Sequence, residues 1–238
     1  MKRINIWSGP RNISTALMYS FAQRSDTTVY DEPLYAHYLS KTPADAYHPM
    51  AAEILADMEN DGNKVIEMMQ GTHPTPIAFF KQMTHHLVKL DWSFMDDMTN
   101  VILTRDPREM LTSFIQQIEN PTIIDVGYAA HIELLEYLES RGQKVIVLDG
   151  KNVLLDPKGV LSQFCEQLGI PFDESMLSWH AGARPEDGIW APHWYANVHR
   201  STSFAPYKPK DIEFPERLEA LYAECMPYYE RLSALAIS

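Results

Sequence analysis

Arg11, Ser14 and Thr15 fall in WSGPRNISTALMYSF, positions 7–21, directly after the alternating Ile4–Asn5–Ile6. A short apolar strand that breaks at a glycine-containing turn and enters a helix aims several main-chain N–H groups and the positive helix end at one point, a setting for a phosphate. The two hydroxyls add donors, and Arg11 adds a planar cationic fork. The loop lacks the second glycine and the lysine of GxxxxGK[ST], which argues against ATP or GTP hydrolysis. On these residues alone, an ordinary strand-to-helix turn stands as the alternative.

The second constellation is NVILTRDPREMLTSF, 100–114. Its apolar strand ends at Arg105, Asp106 suits a helix N-cap, and Pro107 suits the first helical turn. Ser113 lies two turns into that helix, so Arg105 and Ser113 converge on a further anion if the helix runs beside the site. The alternative is an Arg105 ion pair with a nearby carboxylate and a serine that only packs.

The elements that must position these residues alternate. Short β-type runs at 3–7, 27–30, 77–81, 100–105 and 144–149 are separated by helical stretches at about 14–24, 44–59, 107–118, 128–141, 157–168 and 215–235. That order predicts an α/β fold: three layers, with a central parallel sheet and helices on both faces. The 238 residues, 45% hydrophobic and 22% charged, fit a single domain over 1–238. Segment 173–213 crowds prolines, glycines, aromatics and histidines, and reads as a C-terminal lid or as a surface strap. Within it Trp179, His180, Trp190, His193, Trp194 and Tyr195 either line an acceptor pocket or form a satellite core.

A net charge of −12 excludes a general basic surface, so neither nucleic acid nor an anionic membrane is an expected partner. No signal-peptide pattern and no membrane-length apolar run is present, and cysteine is confined to Cys165 and Cys225, which fits a cytoplasmic, reducing setting. Metal-ligand spacings are lacking, so no catalytic metal is expected.

SGPRNISTALM, VILTRDPREMLTSF and VLLDPKGVLSQFCEQLGIPF (153–172), in that order, resemble the sulfotransferase family, whose donor is 3′-phosphoadenosine 5′-phosphosulfate (PAPS). The resemblance spans about residues 1–172 and implies a P-loop NTPase-like sulfotransferase fold. It also implies that Arg11, Asn12, Ile13, Ser14 and Thr15 grip the 5′-phosphosulfate, with Asn12 and Ile13 acting through the backbone. Arg105 and Ser113 would grip the 3′-phosphate, and the bisphosphate PAP would leave as product. The acceptor is then a small molecule with a hydroxyl. Departures are Arg11 where many cytosolic members carry lysine, Ile13 in place of glycine, and no Arg-Lys-Gly counterpart near the C-terminus, where Lys208 and Lys210 are weak substitutes.

For the catalytic base, arginine-loop members of the family resemble VYDEPLY, 29–35, in carrying a glutamate after the second strand, which gives that role to Glu32. Its position suits an α/β crevice, although an Asp31/Glu32 pair serving as a cap or salt bridge is the alternative. Cytosolic members end a strand in Lys-x-His. FFKQMTHH supplies Lys81 at the lysine position, to stabilise the transferred group, while His85 and His86 come later than that pattern. His85 is the competing base. Two rival functions are a P-loop small-molecule kinase and a sulfotransferase-like protein that binds a nucleotide without turnover.

Overall fold

The computed structural model describes residues 1–209 and 213–238; Lys210 lies outside the described residues. Strands β1 (Lys2–Ser8), β2 (Thr27–Asp31), β3 (Ile77–Met83), β4 (Thr99–Thr104), β5 (Ile146–Asp149) and β6 (Ala236–Ile237) form one sheet in the order β2-β3-β1-β4-β5-β6. Every pairing is parallel. The first five strands match the sequence expectation, and the sixth is too short to carry a pattern.

Side-chain alternation splits the sheet between two cores. Ile4, Ile6, Phe79, Val101 and Leu103 pack with Leu17 and Phe21 of the helix Ser14–Phe21 and with Leu161 and Phe164 of the helix Pro157–Leu168. Trp7, Phe80, Ile102 and Val147 face the helices Tyr128–Ser140 and Glu219–Ser233 through Leu134, Leu135, Leu138 and Leu232. Both faces are thus covered, as an all-parallel sheet requires. The expected three-layer α/β architecture is observed.

Several expectations shift in detail, among them the helix Gly62–Gln70, which no expected helical stretch covers. The helix expected over 44–59 is broken into a 3₁₀ turn, Pro43–Ala46, and a helix, Ala51–Asp57, with Pro49 and left-handed Met50 (φ 60°) between them. The helix Tyr35–Lys41 was not expected, because Tyr35, Ala36, His37, Tyr38 and Leu39 are all buried and it lacks the polar stripe of an amphipathic helix.

β1 lies between β3 and β4, so β2 and β3 fall on one side of it and β4, β5 and β6 on the other. Such a reversal opens a crevice at the strand C-terminal ends. Segment 173–209 crosses this end as an anchored strap. Met176, Trp179 and Phe204 enter the first core, Trp190 and Tyr195 pack with Tyr35 and Tyr38, and Ser178 bridges Ser203. Among the described residues, no helix is long and apolar enough to cross a membrane.

Candidate active site

The crevice holds a cavity of about 370 Å³, within the range of small-molecule sites. Arg11, Asn12, Ile13, Ser14, Thr15, Glu32, Lys81, His85, Arg105 and Ser113 all line it. Residues from the ends of four strands and from the helix after β4 therefore meet at one cavity.

The loop after β1 begins at Gly9, where a Cβ would stand 2.9 Å from the Val126 carbonyl oxygen. Its left-handed residue is Arg11 (φ 53°), while Ile13 has φ −89° and ψ 18°, so the loop needs no glycine at 13. The Asn12 side chain braces the turn: Nδ2 donates to the Leu103 carbonyl at 3.1 Å, and Oδ1 accepts the Ile13 N–H at 2.9 Å. Gly150 makes room for it, since a Cβ there would lie 2.7 Å from Asn12 Oδ1. The Ile13 amide is thus engaged by a side chain. The helix that opens at Ser14 has no capping side chain, which leaves its first amides suited to an anion.

The two predicted anion cradles interlock. Arg11 Nε donates to Ser113 Oγ at 3.0 Å and its Nη1 to the Trp194 carbonyl at 3.2 Å, while Arg105 Nη1 donates to the Arg11 carbonyl at 2.8 Å. Arg105 also pairs with Glu109 at 3.0 Å, one turn into the helix Pro107–Phe114. Burial and the neighbouring Arg105 charge lower the pKa of Arg11. Both features of the sequence reading are present: Arg105 faces the cavity, and it carries a carboxylate partner.

Across the cavity Lys81 is 1% exposed and Glu32 6%. Lys81 Nζ donates to Asp31 Oδ1 at 2.9 Å, to Glu32 Oε1, and to the Tyr195 hydroxyl at 2.7 Å. That phenol donates in turn to Asp31 and accepts from Trp190 Nε1 at 3.1 Å, so its one donor and two acceptor sites are used. Gly188 N–H closes on Asp31 Oδ2 at 3.0 Å, tying the strap to β2. Burial lowers the Lys81 pKa, but the Asp31 and Glu32 carboxylates outweigh it and raise the value, holding the ammonium charged. For Glu32, burial raises the pKa, Lys81 opposes that and Asp31 adds to it, leaving the carboxyl above its ordinary range. Glu32 also holds a left-handed backbone, φ 43°, a costly conformation for a residue with a side chain. The Glu32 N–H donates to the Lys81 carbonyl at 2.8 Å, which fixes it.

His85 and His86 follow β3 in a 3₁₀ turn, Thr84–His86. Burial, with help from His48 and His131, pushes the His85 pKa down to about 3, and burial next to His85 holds His86 well below its usual value. A base that weak takes protons poorly at neutral pH, whereas a carboxylate raised by burial is better matched. The sequence reading held a salt-bridged Asp31/Glu32 pair as the alternative to a base, and both carboxylates do pair with Lys81; it missed the bracing side chain of Asn12, and Tyr35, Tyr38 and His48 on the cavity wall. Asp31 and Lys81 are register partners across β2 and β3, a relation visible only once the strands are paired. Of the strap residues, Trp190, Trp194 and Tyr195 line the cavity, Trp179 is core, and His180 lines a separate depression. Lys208 is exposed and away from the cavity.

A family profile described as "Sulfotransferase domain" matches residues 1–236. Two Arabidopsis thaliana proteins called branched-chain-amino-acid aminotransferase-like protein 2 and 1 are each 38% identical, over 234 and 231 residues. The chain spans 41% of the length of each. Among solved structures, the sulfotransferase domain from the Synechococcus olefin synthase aligns with TM-score 0.60 at 16% identity, over 94% of each chain. A mouse sulfotransferase complexed with PAP aligns with TM-score 0.57 at 14% identity, over 99% of this chain and 90% of that one. At these identities the two structures speak to the fold.

Proposed function

The chain belongs to the sulfotransferase domain family, and from that membership we propose that it moves a sulfuryl group from PAPS to the hydroxyl of a small-molecule acceptor in the cytoplasm. The observation that carries this reading is the meeting of two arginine cradles and a Glu32–Lys81 pair around one cavity. A donor nucleotide with anionic groups at two separate positions needs two such cradles. Arg11 and the amides of the helix start suit the phosphosulfate, and Arg105 with Ser113 suits the 3′-phosphate.

In the transfer, the acceptor oxygen bonds to sulfur as the bond from sulfur to the bridging phosphate oxygen breaks. The electron pair of that bond leaves on the phosphate, giving PAP. The acceptor proton passes to the Glu32 carboxylate, and the Lys81 ammonium offsets charge on the moving group. The strap 173–209 supplies one wall of the single domain and keeps water from the reacting atoms through Trp190 and Tyr195. The aminotransferase-like names of the plant relatives belong to proteins more than twice as long as the aligned stretch, and transamination forms no part of this reading.

The test is nucleotide-dependent thermal stabilisation, followed by turnover. Adenosine 3′,5′-bisphosphate raises Tm more than 5′-AMP or Mg-ATP does at equal concentration, because stabilisation by a ligand of the folded state grows with the logarithm of its affinity. Stabilisation by Mg-ATP alone supports a kinase instead. Bisphosphate binding with no sulfuryl transfer from PAPS to any acceptor in a hydroxyl panel supports a non-catalytic nucleotide binder.

A further inference from the structure

All donors of the Lys81 ammonium are engaged within the protein. An ammonium carries three N–H groups and no acceptor, and here they go to Asp31 Oδ1 at 2.9 Å, to Glu32 Oε1 and to the Tyr195 hydroxyl at 2.7 Å. One of these contacts must open before Lys81 can donate to a sulfuryl group.

The two carboxylates are not equivalent. Asp31 accepts from Lys81, from the Tyr195 hydroxyl at 2.8 Å and from the Gly188 N–H at 3.0 Å, and its side chain is 1% exposed. The strap is closely fitted at this contact: a Cβ on Gly188 would stand 2.2 Å from the Trp190 ring, whose Nε1 donates to the Tyr195 hydroxyl at 3.1 Å. Glu32 accepts from Lys81 and lines the cavity, whereas Asp31 is not among the lining residues. The Glu32 contact is therefore the one that an event in the cavity can open, and the Asp31 contact is the one that stays.

Charge points the same way. Tyr19, Tyr35, Tyr195 and His86 also interact electrostatically with this trio, and burial raises the pKa of the three phenols and lowers that of the imidazole, so all four are uncharged near neutral pH. Once Glu32 takes up a proton, Asp31 is the carboxylate left to balance the ammonium, and a buried lysine stripped of its counter-charges loses its proton readily.

We propose that Asp31 is a positioning residue for the transfer: as the acceptor proton passes to Glu32, the Glu32–Lys81 contact opens, Asp31 and Tyr195 keep the ammonium fixed and charged, and the released N–H turns to the sulfuryl group. The proton moves from the acceptor hydroxyl to Glu32, which becomes a neutral acid, and Lys81 keeps all of its own protons. This rests on the sulfotransferase reading and adds a residue to it.

The test needs no acceptor, because Glu32→Gln mimics the neutral acid. Calorimetry gives the ratio of PAPS affinity to adenosine 3′,5′-bisphosphate affinity, which reports contacts to the sulfuryl group. Glu32→Gln raises that ratio about tenfold, the scale of a hydrogen bond from a charged donor. Adding Asp31→Asn to Glu32→Gln decides between two roles of opposite sign. Removal of a second negative charge raises the ratio further if Asp31 is merely a nearby charge, and returns it to the unaltered protein's value or lower if Asp31 holds the ammonium. Because Asp31→Asn can disturb the fold, Tyr195→Phe in the Glu32→Gln background is the second variant; it alters no charge and also lowers the ratio, by loosening the hold on Lys81. The bisphosphate-induced Tm shift, read on each sample, shows a folded protein. A ratio unmoved by Glu32→Gln, or one that Asp31→Asn or Tyr195→Phe leaves unchanged or raises, overturns this inference while leaving the bisphosphate shift intact. Absence of the bisphosphate shift in the unaltered protein overturns the sulfotransferase reading, and this inference with it.

Discussion

Lowering the pH from 7 to 5 destabilises this protein, and His131 accounts for a measurable share. His131 is 1% exposed, and burial pushes its pKa down to about 4, with a hydrogen bond to the Ser8 main chain offsetting this in part. A folded-state value below the ordinary 6.5 means that the neutral ring is favoured in the fold. Its contribution is present above the unfolded value and is lost as pH falls toward the folded one. Between pH 7 and pH 5 the linkage relation gives a loss of about 2 kcal/mol from this one group. His131→Leu removes the titration. Urea unfolding followed by tryptophan fluorescence at both pH values should show a fall in unfolding free energy about 2 kcal/mol smaller in the variant than in the unaltered protein. Equal falls would refute the reasoning. The effect bears on the site, because a Cβ on Gly9, where the anion loop begins, would lie 3.6 Å from the His131 ring.

Other outcomes follow from the same geometry. Glu32→Gln lowers turnover by about 10²–10⁴-fold with the bisphosphate-induced Tm shift retained, and in the unaltered enzyme kcat/KM climbs with pH through a Glu32 pKa above the ordinary carboxylate range; full turnover by Glu32→Gln rejects the base assignment. Arg105→Ala weakens adenosine 3′,5′-bisphosphate by about 10–100-fold and 5′-AMP far less; equal losses by calorimetry reject the 3′-phosphate role. Gly9→Ala sets a methyl group 2.9 Å from the Val126 carbonyl oxygen and should lower stability by about 1–3 kcal/mol in urea unfolding.

Much of this site was legible because its chemistry and its local structure coincide. The loop 9–13 announces itself through Gly-Pro followed by hydroxyls, and Arg105 through a strand, an Asp N-cap that accepts from Arg108 and Glu109, and Pro107 at the helix start. Lys81 was legible as a charge closing an apolar run, yet its contact with Glu32 was not, because 49 residues separate them and only the β2–β3 register joins them. The sequence reading weighed the two as separate catalytic candidates; in the fold they are one ion-paired unit with Asp31. Tyr35 and Tyr38 escaped notice for a different reason. Their short helix is buried on all sides, so tertiary packing rather than an amphipathic stripe determines it. The aromatic strap was open between pocket and core, and it serves as both: Trp179 is internal, whereas Trp190 and Tyr195 are internal on one side and wall on the other.

The arginines of the cleft make hydrogen bonds within the protein, and this bears on the thermodynamics of binding there. Arg11 commits two of its five donors, to Ser113 and to the strap, and Arg105 commits three, to the Arg11 carbonyl and to Glu109. An incoming polyanion meets the remaining N–H groups on guanidinium planes whose orientation the internal hydrogen bonds already set. Little rotamer freedom remains to be lost, because both guanidinium groups are immobilised beforehand. The association is entropically inexpensive, and its specificity arises from how well a ligand matches the spacing that these internal contacts fix.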